Sequence, residues 1–313
     1  MNDTAPTFSD DLLKKLPPVR GKITANAPLS AGSWLQVGGS AEVLFKPHDE
    51  QDLADFLKGS PKDVELTVLG SCSNVLVRDG GIPGIVIRLG PRFSACYCEE
   101  DMIVAGSGSI DSNVARVAHD AGFTKFEFLC SIPGTIGGGL HMNAGAYGRE
   151  IKDILIDVRA VTRDGEIITI KAEDMGLGYR SSNVPAGVIF LSARFKGPKD
   201  NPEAIGARMK EILEERSETQ PSHVQTGGST FANPEGHSAW KLIEEAGCRG
   251  LRIGNAVMSE KHCNFMINES NATATDLEAL GEEVRRRVKE KSGIELKWEI
   301  KRIGVPLKEE TTS

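Results

Sequence analysis

The sequence predicts an α+β protein with more than one domain, on three observations. Its first 200 residues hold short runs of aliphatic and β-branched residues separated by glycine-containing turns, which is typical of strands. Segments with the spacing of an amphipathic helix are few in that part and become longer toward the C-terminus. A length of 313 residues is enough for two or more hydrophobic cores.

The N-terminal two thirds are predicted to be rich in strands. Residues 1–20 are polar and contain three prolines, so we expect a loose arm there. Residues 21–200 follow as the strand-rich region. The elements expected in it are a helix over 51–57, strands over 66–69, 75–77 and 85–89, a helix over 112–121, strands over 154–161 and 167–170 around the turn 163–165, and a strand over 188–195.

A second region follows a connector helix. An Asn-Pro pair is a good cap and first helical residue, so we expect this helix over 201–218. Residues 219–313 then form the C-terminal region. The elements expected there are a helix over 238–246 with Trp240 and Ile243 on its inner face, a longer helix that begins at Thr275 with Thr275 and Glu278 as its capping box, and a strand over 294–300 with alternating apolar and polar residues.

Composition and charge argue against several functions. The net charge of −7 argues against nucleic acid or an anionic membrane as a partner. No run of about 18 apolar residues and no secretory signal is present, so we expect a cytoplasmic protein with no membrane span. The six cysteines lack C-x-x-C spacing and the six histidines lack a zinc pattern, so we expect free thiols, mostly buried, and no metal.

The most informative segment is the glycine-rich stretch 131–147. It contains almost no charge, and we expect neither a stable helix nor a regular central strand from it. Gly138 and Gly139 have no Cβ, so backbone amides there can approach a ligand closely and form an anion site. The interleaved apolar residues indicate burial rather than a surface loop. The stretch therefore predicts a site for a phosphate-bearing cofactor, although a G-x-G-x-x-G dinucleotide motif is absent.

Three further positions are candidates for chemistry. Ser229 follows two glycines that let the chain bend, so it either projects into a cleft or satisfies a local turn. Without a histidine–carboxylate partner set, proton donation suits this serine better than covalent attack. Arg180 is either a carboxylate-binding group or an ordinary surface arginine, and Glu299 is either catalytic or a solvated charge on a strand edge.

Several motifs, taken together in their order along the chain, resemble those of one protein family. They are 69–81 (LGSCSNVLVRDGG), 131–138 (SIPGTIGG), 142–148 (MNAGAYG), Tyr179-Arg180, 228–234 (GSTFANP), 259–265 (SEKHCNF) and 299–304 (EIKRIG). This series closely resembles the UDP-N-acetylenolpyruvoylglucosamine reductases, also called UDP-N-acetylmuramate dehydrogenases, from about residue 33 to 304. The short interval between Arg180 and Ser229 is similar to the shorter subclass of that family.

The resemblance implies a flavoprotein. It implies a two-part FAD-binding region of the vanillyl-alcohol-oxidase (PCMH) type, at about 21–90 and 91–200, and a C-terminal α+β substrate domain at 219–313 with a catalytic final strand. FAD would be bound non-covalently and NADPH would be the hydride donor. The residues that would bind FAD are Gly70, Ser71, Cys72, Ser73, Asn74, Pro133, Gly134, Thr135, Gly138, Asn143, Ala144, Gly145 and Arg180.

The resemblance also implies a reaction. FAD would pass a hydride from N5 to C3 of UDP-N-acetyl-3-O-(1-carboxyvinyl)-glucosamine, which gives UDP-N-acetylmuramate for peptidoglycan synthesis. Arg180 would stabilise the enolate, Glu299 would be the carboxylate that works beside it, and Ser229 would protonate C2. Asn233, Tyr179 and Lys241 would bind the UDP-sugar, and we expect a monomer or weak oligomer.

Three positions depart from the usual family pattern. Cys72 and Ser131 stand where glycine is common, and Gln36 replaces a frequent arginine. An added Cβ in these loops affects FAD affinity and redox potential more than the reaction itself. Two alternatives stay open, namely a different flavin enzyme of the same fold and a flavin- or UDP-sugar-binding protein without turnover.

Overall fold

The computed structural model describes residues 8–307, and its first unit is a four-stranded sheet in the order β1-β2-β5-β3. β1 is antiparallel to β2, whereas β2, β5 and β3 run parallel. The elements of this unit are β1 (Lys22–Pro28), β2 (Ser40–Lys46), α1 (Glu50–Gly59), β3 (Leu66–Leu69), β4 (Val75–Val77) and β5 (Ile82–Arg88).

Both faces of the first sheet are buried, because alternate residues of its strands contribute to two different cores. Phe45 and Ile87 pack with Phe56 of α1, and the Phe45 and Phe56 ring centroids are 4.0 Å apart. Leu44 and Val86 point to the other face. Leu12, within the segment predicted as an arm, is buried in the α1 core.

The second unit is a five-stranded antiparallel sheet in the order β11-β10-β12-β7-β6. The predicted turn at 163–165 joins β10 to β11 as a hairpin. The elements are β6 (Cys96–Glu99), β7 (Met102–Gly106), α2 (Asp111–Asp120), α3 (Ile136–His141), β8 (Gly145–Ala146), β9 (Arg149–Glu150), β10 (Leu155–Val161), β11 (Ile167–Lys171) and β12 (Ile189–Phe195).

The glycine-rich stretch contains a helix, so the expectation that it would not form one was wrong. α3 is a six-residue helix in which Ile136 and Leu140 are fully buried in the core of the second sheet. A Cβ on Gly139 would lie 2.7 Å from the Ile151 side chain, so glycine allows this close packing. Tertiary packing therefore overrides the low helix propensity of the three consecutive glycines.

The third unit packs two helices against a small sheet in the order β13-β16-β15-β14. The stripe Leu277, Leu280, Val284 and Val288 is fully buried, as its helical spacing predicts. Before this unit in the chain, α4 (Pro202–Thr219) packs against α2 and residues Glu127–Ser131 of the second unit. The elements of the third unit are β13 (Gln225–Ser229), α5 (Ala239–Glu245), β14 (Arg252–Ile253), β15 (Ala256–Met258), β16 (Phe265–Asn268), α6 (Ala274–Ser292) and β17 (Lys301–Ile303). Short 3₁₀ helices occupy Leu13–Lys15, Ser30–Gly32, Pro91–Phe93, Glu127–Ser131, Ile151–Asp153 and Ala172–Met175.

Two local predictions for this unit were wrong. Trp240 of α5 is 41% exposed rather than on the inner face, whereas Ile243 is buried. The capping box of α6 is formed by Thr273 and Asp276, two residues earlier than predicted. The reason is tertiary, because the Thr275 hydroxyl and amide both donate to Asp79 and Glu278 pairs with arginines instead.

The prediction of a strand over 294–300 was also wrong. Its alternation in burial is present at Leu296 and Ile300, but only Trp298 forms an isolated bridge, to Phe231. The ladder begins one residue later, in β17. The reason is that β17 pairs with β4 of the first unit, so the preceding segment serves as a connection between units.

The structure also bears on membrane and metal binding. Within residues 8–307, no helix is long and apolar enough to cross a membrane. The same residues contain no group of three or more His, Cys, Asp or Glu side chains placed to hold a metal ion. All six cysteines are free; Cys72, Cys248 and Cys263 are buried, and Cys98 is exposed.

Candidate active site

The parallel pair β4–β17 brings the first glycine loop and Glu299 to one edge. Residues 70–74 directly precede β4, and Glu299 lies two residues before β17. Parallel strands start at the same edge of a sheet, so these two segments must lie together. The contacts agree, because the Lys301 amide donates to the Asn74 carbonyl oxygen at 3.0 Å and Asn74 Nδ2 donates to the Glu299 carbonyl oxygen at 3.1 Å.

Arg180 and Glu299 form an ion pair at that edge. Arg180 Nε donates to Glu299 Oε1 at 2.9 Å, and Arg180 Nη2 donates to the Gly145 carbonyl oxygen at 3.0 Å. The two side chains are only 26% and 14% exposed. Burial raises the pKa of the Glu299 carboxyl, and the adjacent Arg180 charge partly opposes this rise. Arg180 is therefore not an ordinary surface arginine, and Glu299 is not a solvated edge charge.

The backbone around Arg180 is held in an unusual conformation. Arg180 has φ of +51°, a left-handed value that non-glycine residues rarely adopt. The loop is secured by Asn143, whose Nδ2 donates to the Gly178 carbonyl oxygen at 2.9 Å and to Glu150 at 3.1 Å. Asn143 is completely buried. It therefore fixes the arginine loop to the glycine-rich segment.

Ser229 ends β13 beside Glu299. Gly228 has φ of +77°, and the register between β13 and β16 shifts after Thr226, which bends the strand as predicted. The Glu299 amide donates to the Thr230 carbonyl oxygen at 2.8 Å, so Ser229 and Glu299 lie on neighbouring backbones. The Thr230 side chain is buried, and successive side chains of a strand point to opposite sides. Within residues 8–307 the half-buried Ser229 hydroxyl makes no hydrogen bond, so it does not satisfy a local turn.

A cavity of about 340 Å³ lies between the first two units. Four of the predicted FAD-binding residues line it: Gly70, Ser71, Thr135 and Gly138. The two loops touch there, because a Cβ on Gly70 would lie 2.5 Å from Thr135 Oγ1. Glycine at position 70 allows the two loops to pack this closely, and together they line one side of the cavity. This arrangement fits a phosphate-bearing cofactor.

Sequence reasoning missed several residues of this cavity, of which Arg88 matters most. Arg88 Nη2 donates to the Gly32 carbonyl oxygen at 2.8 Å and to Cys72 Sγ at 3.2 Å, while its buried Nε has no partner within residues 8–307. Among the residues that line the cavity, Arg88 carries the permanent positive charge. A chain with a net charge of −7 needs such a charge close to a bound phosphate. The sequence feature that could have pointed to Arg88 is its position near the end of the strand predicted over 85–89. The other missed lining residues are Gly32, Val68, Leu69, Leu89, Ser107, Gly108, Ile189 and Phe190, whereas Gly137 and His141 lie within the stretch 131–147 predicted as a cofactor site.

Other predicted FAD residues lie behind or beside the cavity. Cys72 is buried beneath the first loop with φ of +54°, and burial raises its pKa despite Arg88. Ser73 Oγ accepts a hydrogen bond from Ser71 Oγ at 3.4 Å. Ala144 is buried in the core of the second sheet, and the Gly145 carbonyl oxygen accepts the hydrogen bond from Arg180 Nη2. Pro133 and Gly134 are half-buried in the second loop.

Two family models match the chain. One, for the C-terminal domain of UDP-N-acetylenolpyruvoylglucosamine reductase, covers residues 220–303, and one for an FAD-binding domain covers residues 41–171. The reductase of Paramagnetospirillum magneticum is 55% identical over 290 residues, which is 93% of this chain and 94% of that protein. The chain belongs to the UDP-N-acetylenolpyruvoylglucosamine reductase family. The reductase of a Bradyrhizobium strain is 53% identical over 96% of this chain and 98% of that protein.

A solved structure agrees with this membership. The crystal structure of the Thermus caldophilus reductase has 33% identity and a TM-score of 0.78, and the match covers 91% of this chain and 99% of that one. The predicted α+β fold with an FAD-binding region of the vanillyl-alcohol-oxidase type is therefore confirmed. The chain is an FAD-dependent oxidoreductase of peptidoglycan synthesis.

The predicted substrate residues of this reductase lie in the third unit and beside Arg180. Tyr179 is 56% exposed, with its ring centroid 5.3 Å from the Arg180 guanidinium carbon. Asn233 Oδ1 accepts a hydrogen bond from the Ala239 amide at 2.9 Å, which ties its loop to the start of α5. Lys241 is exposed on α5. Their contacts with substrate stay predictions.

Two of the unusual loop residues have local partners. Ser131 Oγ is buried and donates to the Phe128 carbonyl oxygen at 2.9 Å, so its extra polar group is satisfied. Gln36 has φ of +53°, and its Oε1 accepts a hydrogen bond from Gln225 at 2.8 Å. Gln36 thus joins the first unit to β13.

Proposed function

We propose that this chain catalyses the FAD-mediated, NADPH-dependent reduction of UDP-N-acetyl-3-O-(1-carboxyvinyl)-glucosamine to UDP-N-acetylmuramate. The observation that carries the proposal is the Arg180–Glu299 ion pair, held at the edge of the FAD-binding loops by Gly145 and Asn74. Such a pair is suited to a substrate carboxylate that gains negative charge. We further propose that the enzyme acts in the cytoplasm as a monomer or weak oligomer.

The FAD-binding residues fit that role. FAD bound there would supply the hydride chemistry, that is, transfer of a hydride from NADPH by way of the flavin N5 to C3 of the substrate. The backbone of Gly70–Ser71 and of Thr135–Gly138 would face the diphosphate, and Arg88 would supply the positive charge. None of these contacts requires a covalent bond to the flavin. The protein would thus orient the cofactor and keep the reacting atoms aligned.

Arg180 would stabilise the charge that develops on the substrate. Hydride addition at C3 leaves electron density at C2, which spreads into the neighbouring carboxylate as an enolate. A guanidinium that is already fixed by Glu299 and Gly145 needs little reorganisation to meet that charge. Glu299 would hold the guanidinium plane in position and partly balance its positive charge.

Ser229 would donate the proton to C2. Its hydroxyl is half-buried, lies on the backbone next to Glu299 and makes no hydrogen bond within residues 8–307. An enolate carbon is basic enough to take a proton from a neutral hydroxyl that lies within reach. Tyr179, Asn233 and Lys241 would bind the UDP-sugar, and the amine of Lys241 would pair with phosphate charge.

The test is anaerobic flavin spectroscopy on the purified protein. We expect a yellow protein that NADPH bleaches and that the enolpyruvyl UDP-sugar then recolours without oxygen. A yellow protein recoloured only by oxygen would indicate a different flavin enzyme and would refute the proposed substrate. A colourless protein that neither binds added FAD nor turns over would indicate a binding protein without activity.

A further inference from the structure

Asp111 is a buried carboxyl group that no step of the proposed reaction uses. It is the first residue of α2 and its side chain is completely buried. Neither Asp111 Oδ1 nor Asp111 Oδ2 has a hydrogen-bond partner within residues 8–307. Almost all buried polar side chains in proteins are hydrogen-bonded, so such a group needs an explanation.

The carboxyl lies directly behind the second FAD-binding loop. A Cβ on Gly134 would be 2.6 Å from Asp111 Oδ2, and one on Gly139 would be 3.7 Å from Asp111 Oδ1. The Asp111 amide also donates to the Gly134 carbonyl oxygen at 3.2 Å. Thr135 and Gly138, between these two glycines, line the cavity from the other side. One short stretch of backbone therefore separates Asp111 from the cavity.

Among residues 8–307, no charged group compensates Asp111. On the packed elements, Glu127 of the adjacent 3₁₀ helix is paired with Arg208 of α4, and burial lowers the pKa of His141 at the end of α3. The β8–β9 hairpin contributes Glu150, which is paired with Lys152. Asp111 has no ion pair within residues 8–307. Burial alone raises the pKa of Asp111 to about 8, because an isolated charge is unfavourable in the protein interior.

We propose that Asp111 is a positioning residue for FAD, which supports the glycine loop as a neutral carboxylic acid and weakens cofactor binding when it ionises. An ionised carboxylate behind the loop repels the FAD diphosphate through a thin, poorly solvated layer. It also draws the loop backbone toward itself, since the carboxylate then needs donors. The inference rests on FAD binding, which the family membership carries, and not on the proposed roles of Arg180, Ser229 and Glu299.

The test measures FAD release from the holoenzyme as a function of pH. Dilution of the holoenzyme, followed by free-flavin fluorescence, gives the FAD dissociation constant between pH 6 and 9. For one group with a pKa near 8, we expect the wild-type affinity to fall about tenfold from pH 7 to pH 9. Asp111→Asn keeps the shape without the charge and should change less than about twofold over that range.

Two further variants keep the result interpretable. Asp111→Leu removes charge and polarity together and should also give a flat profile, which covers the case in which the asparagine variant does not fold. Asp120→Asn alters an exposed carboxylate at the other end of α2 and should keep the wild-type pH dependence. A flat wild-type profile, or an equal decline in the Asp111 variants, would overturn the inference.

Infrared spectroscopy supplies an independent readout. The FAD-loaded wild type at pH 7 should show a protonated carboxylic acid band that both Asp111 variants lack, and absence of this band from the wild type would overturn the inference. If FAD binds with the expected pH profile but the UDP-sugar does not reoxidise the flavin, the proposed reaction fails and the role of Asp111 stands.

Discussion

Replacing Arg180 with lysine keeps a positive charge beside Glu299 but removes the planar fork. In the wild type, Nε and Nη2 donate to two different acceptors at 2.9 and 3.0 Å. A lysine has one nitrogen at the end of its side chain, so it cannot occupy both donor positions. At least one hydrogen bond of a charged group is lost, which is worth about 1.5–3 kcal/mol. This corresponds to a rate decrease of roughly 10- to 150-fold if the contact acts in the transition state.

The rate decrease should be confined to the half-reaction in which the substrate reoxidises the flavin. Anaerobic stopped-flow measurements separate flavin reduction by NADPH from flavin reoxidation by the enolpyruvyl UDP-sugar. We expect Arg180→Lys to change the first rate by less than about threefold and to slow the second by the factor above. Arg180→Met also removes the charge, so its reoxidation should slow by about 10²–10³-fold or more.

A matched control separates chemistry from general damage. Arg194→Lys alters an arginine that pairs with Asp157 in the second sheet, away from the β4–β17 edge. It should leave both rates close to wild type. Wild-type reoxidation in Arg180→Lys, or an equal slowing of both half-reactions, would refute the assignment of Arg180 to enolate stabilisation.

Four further outcomes are expected. Ser229→Ala should retain FAD and its reduction by NADPH but slow reoxidation by the UDP-sugar about 10²–10⁴-fold, and near-normal single-turnover rates would remove Ser229 from the mechanism. Arg88→Met should weaken FAD roughly 10-fold or more by fluorescence titration, whereas unchanged affinity would place Arg88 outside the phosphate site. Leu280→Ala should lower stability to urea by about 2–5 kcal/mol, against less than about 0.5 for exposed Leu213→Ala. The pKa of Asp111 in the folded state, about 8, lies above its value in the unfolded chain, so the wild type loses stability as the pH rises from about 4 to 8. Asp111→Asn has no such group, so its thermal midpoint relative to that of the wild type should be higher at pH 8 than at pH 5.

Much of the fold could be predicted because it depends on local patterns. The strands at Leu66–Leu69 and Val75–Val77 lie where short β-branched runs stand between glycine loops. Asn201 caps α4 by accepting from the Glu203 amide, as the Asn-Pro pair indicates. These features require only neighbouring residues, so periodicity and turn chemistry are sufficient to locate them.

The failures occurred where distant residues overrode local preference. α3 forms across three glycines because Ile136 and Leu140 are buried against the second sheet. α6 begins earlier than predicted because Asp79, 196 positions away, accepts a hydrogen bond from the Thr275 hydroxyl. Trp240 is exposed although it stands on an amphipathic pattern. A hydrophobic residue becomes part of a core only when another element covers it.

The sequence by itself determined which residue types could carry the chemistry, and the ordered motifs indicated the family. It did not determine that Arg180 meets Glu299 across 119 positions or that Arg88 lines the cavity. Nor did it determine that Asp111, behind the glycine loop, has no hydrogen-bond partner in the described part of the chain. Those facts depend on the pairing of β4 with β17 and on the packing of the second unit. The physical reason is that the charge and hydrogen bonding of a side chain are set by its neighbours in space, and chain separation alone does not specify them.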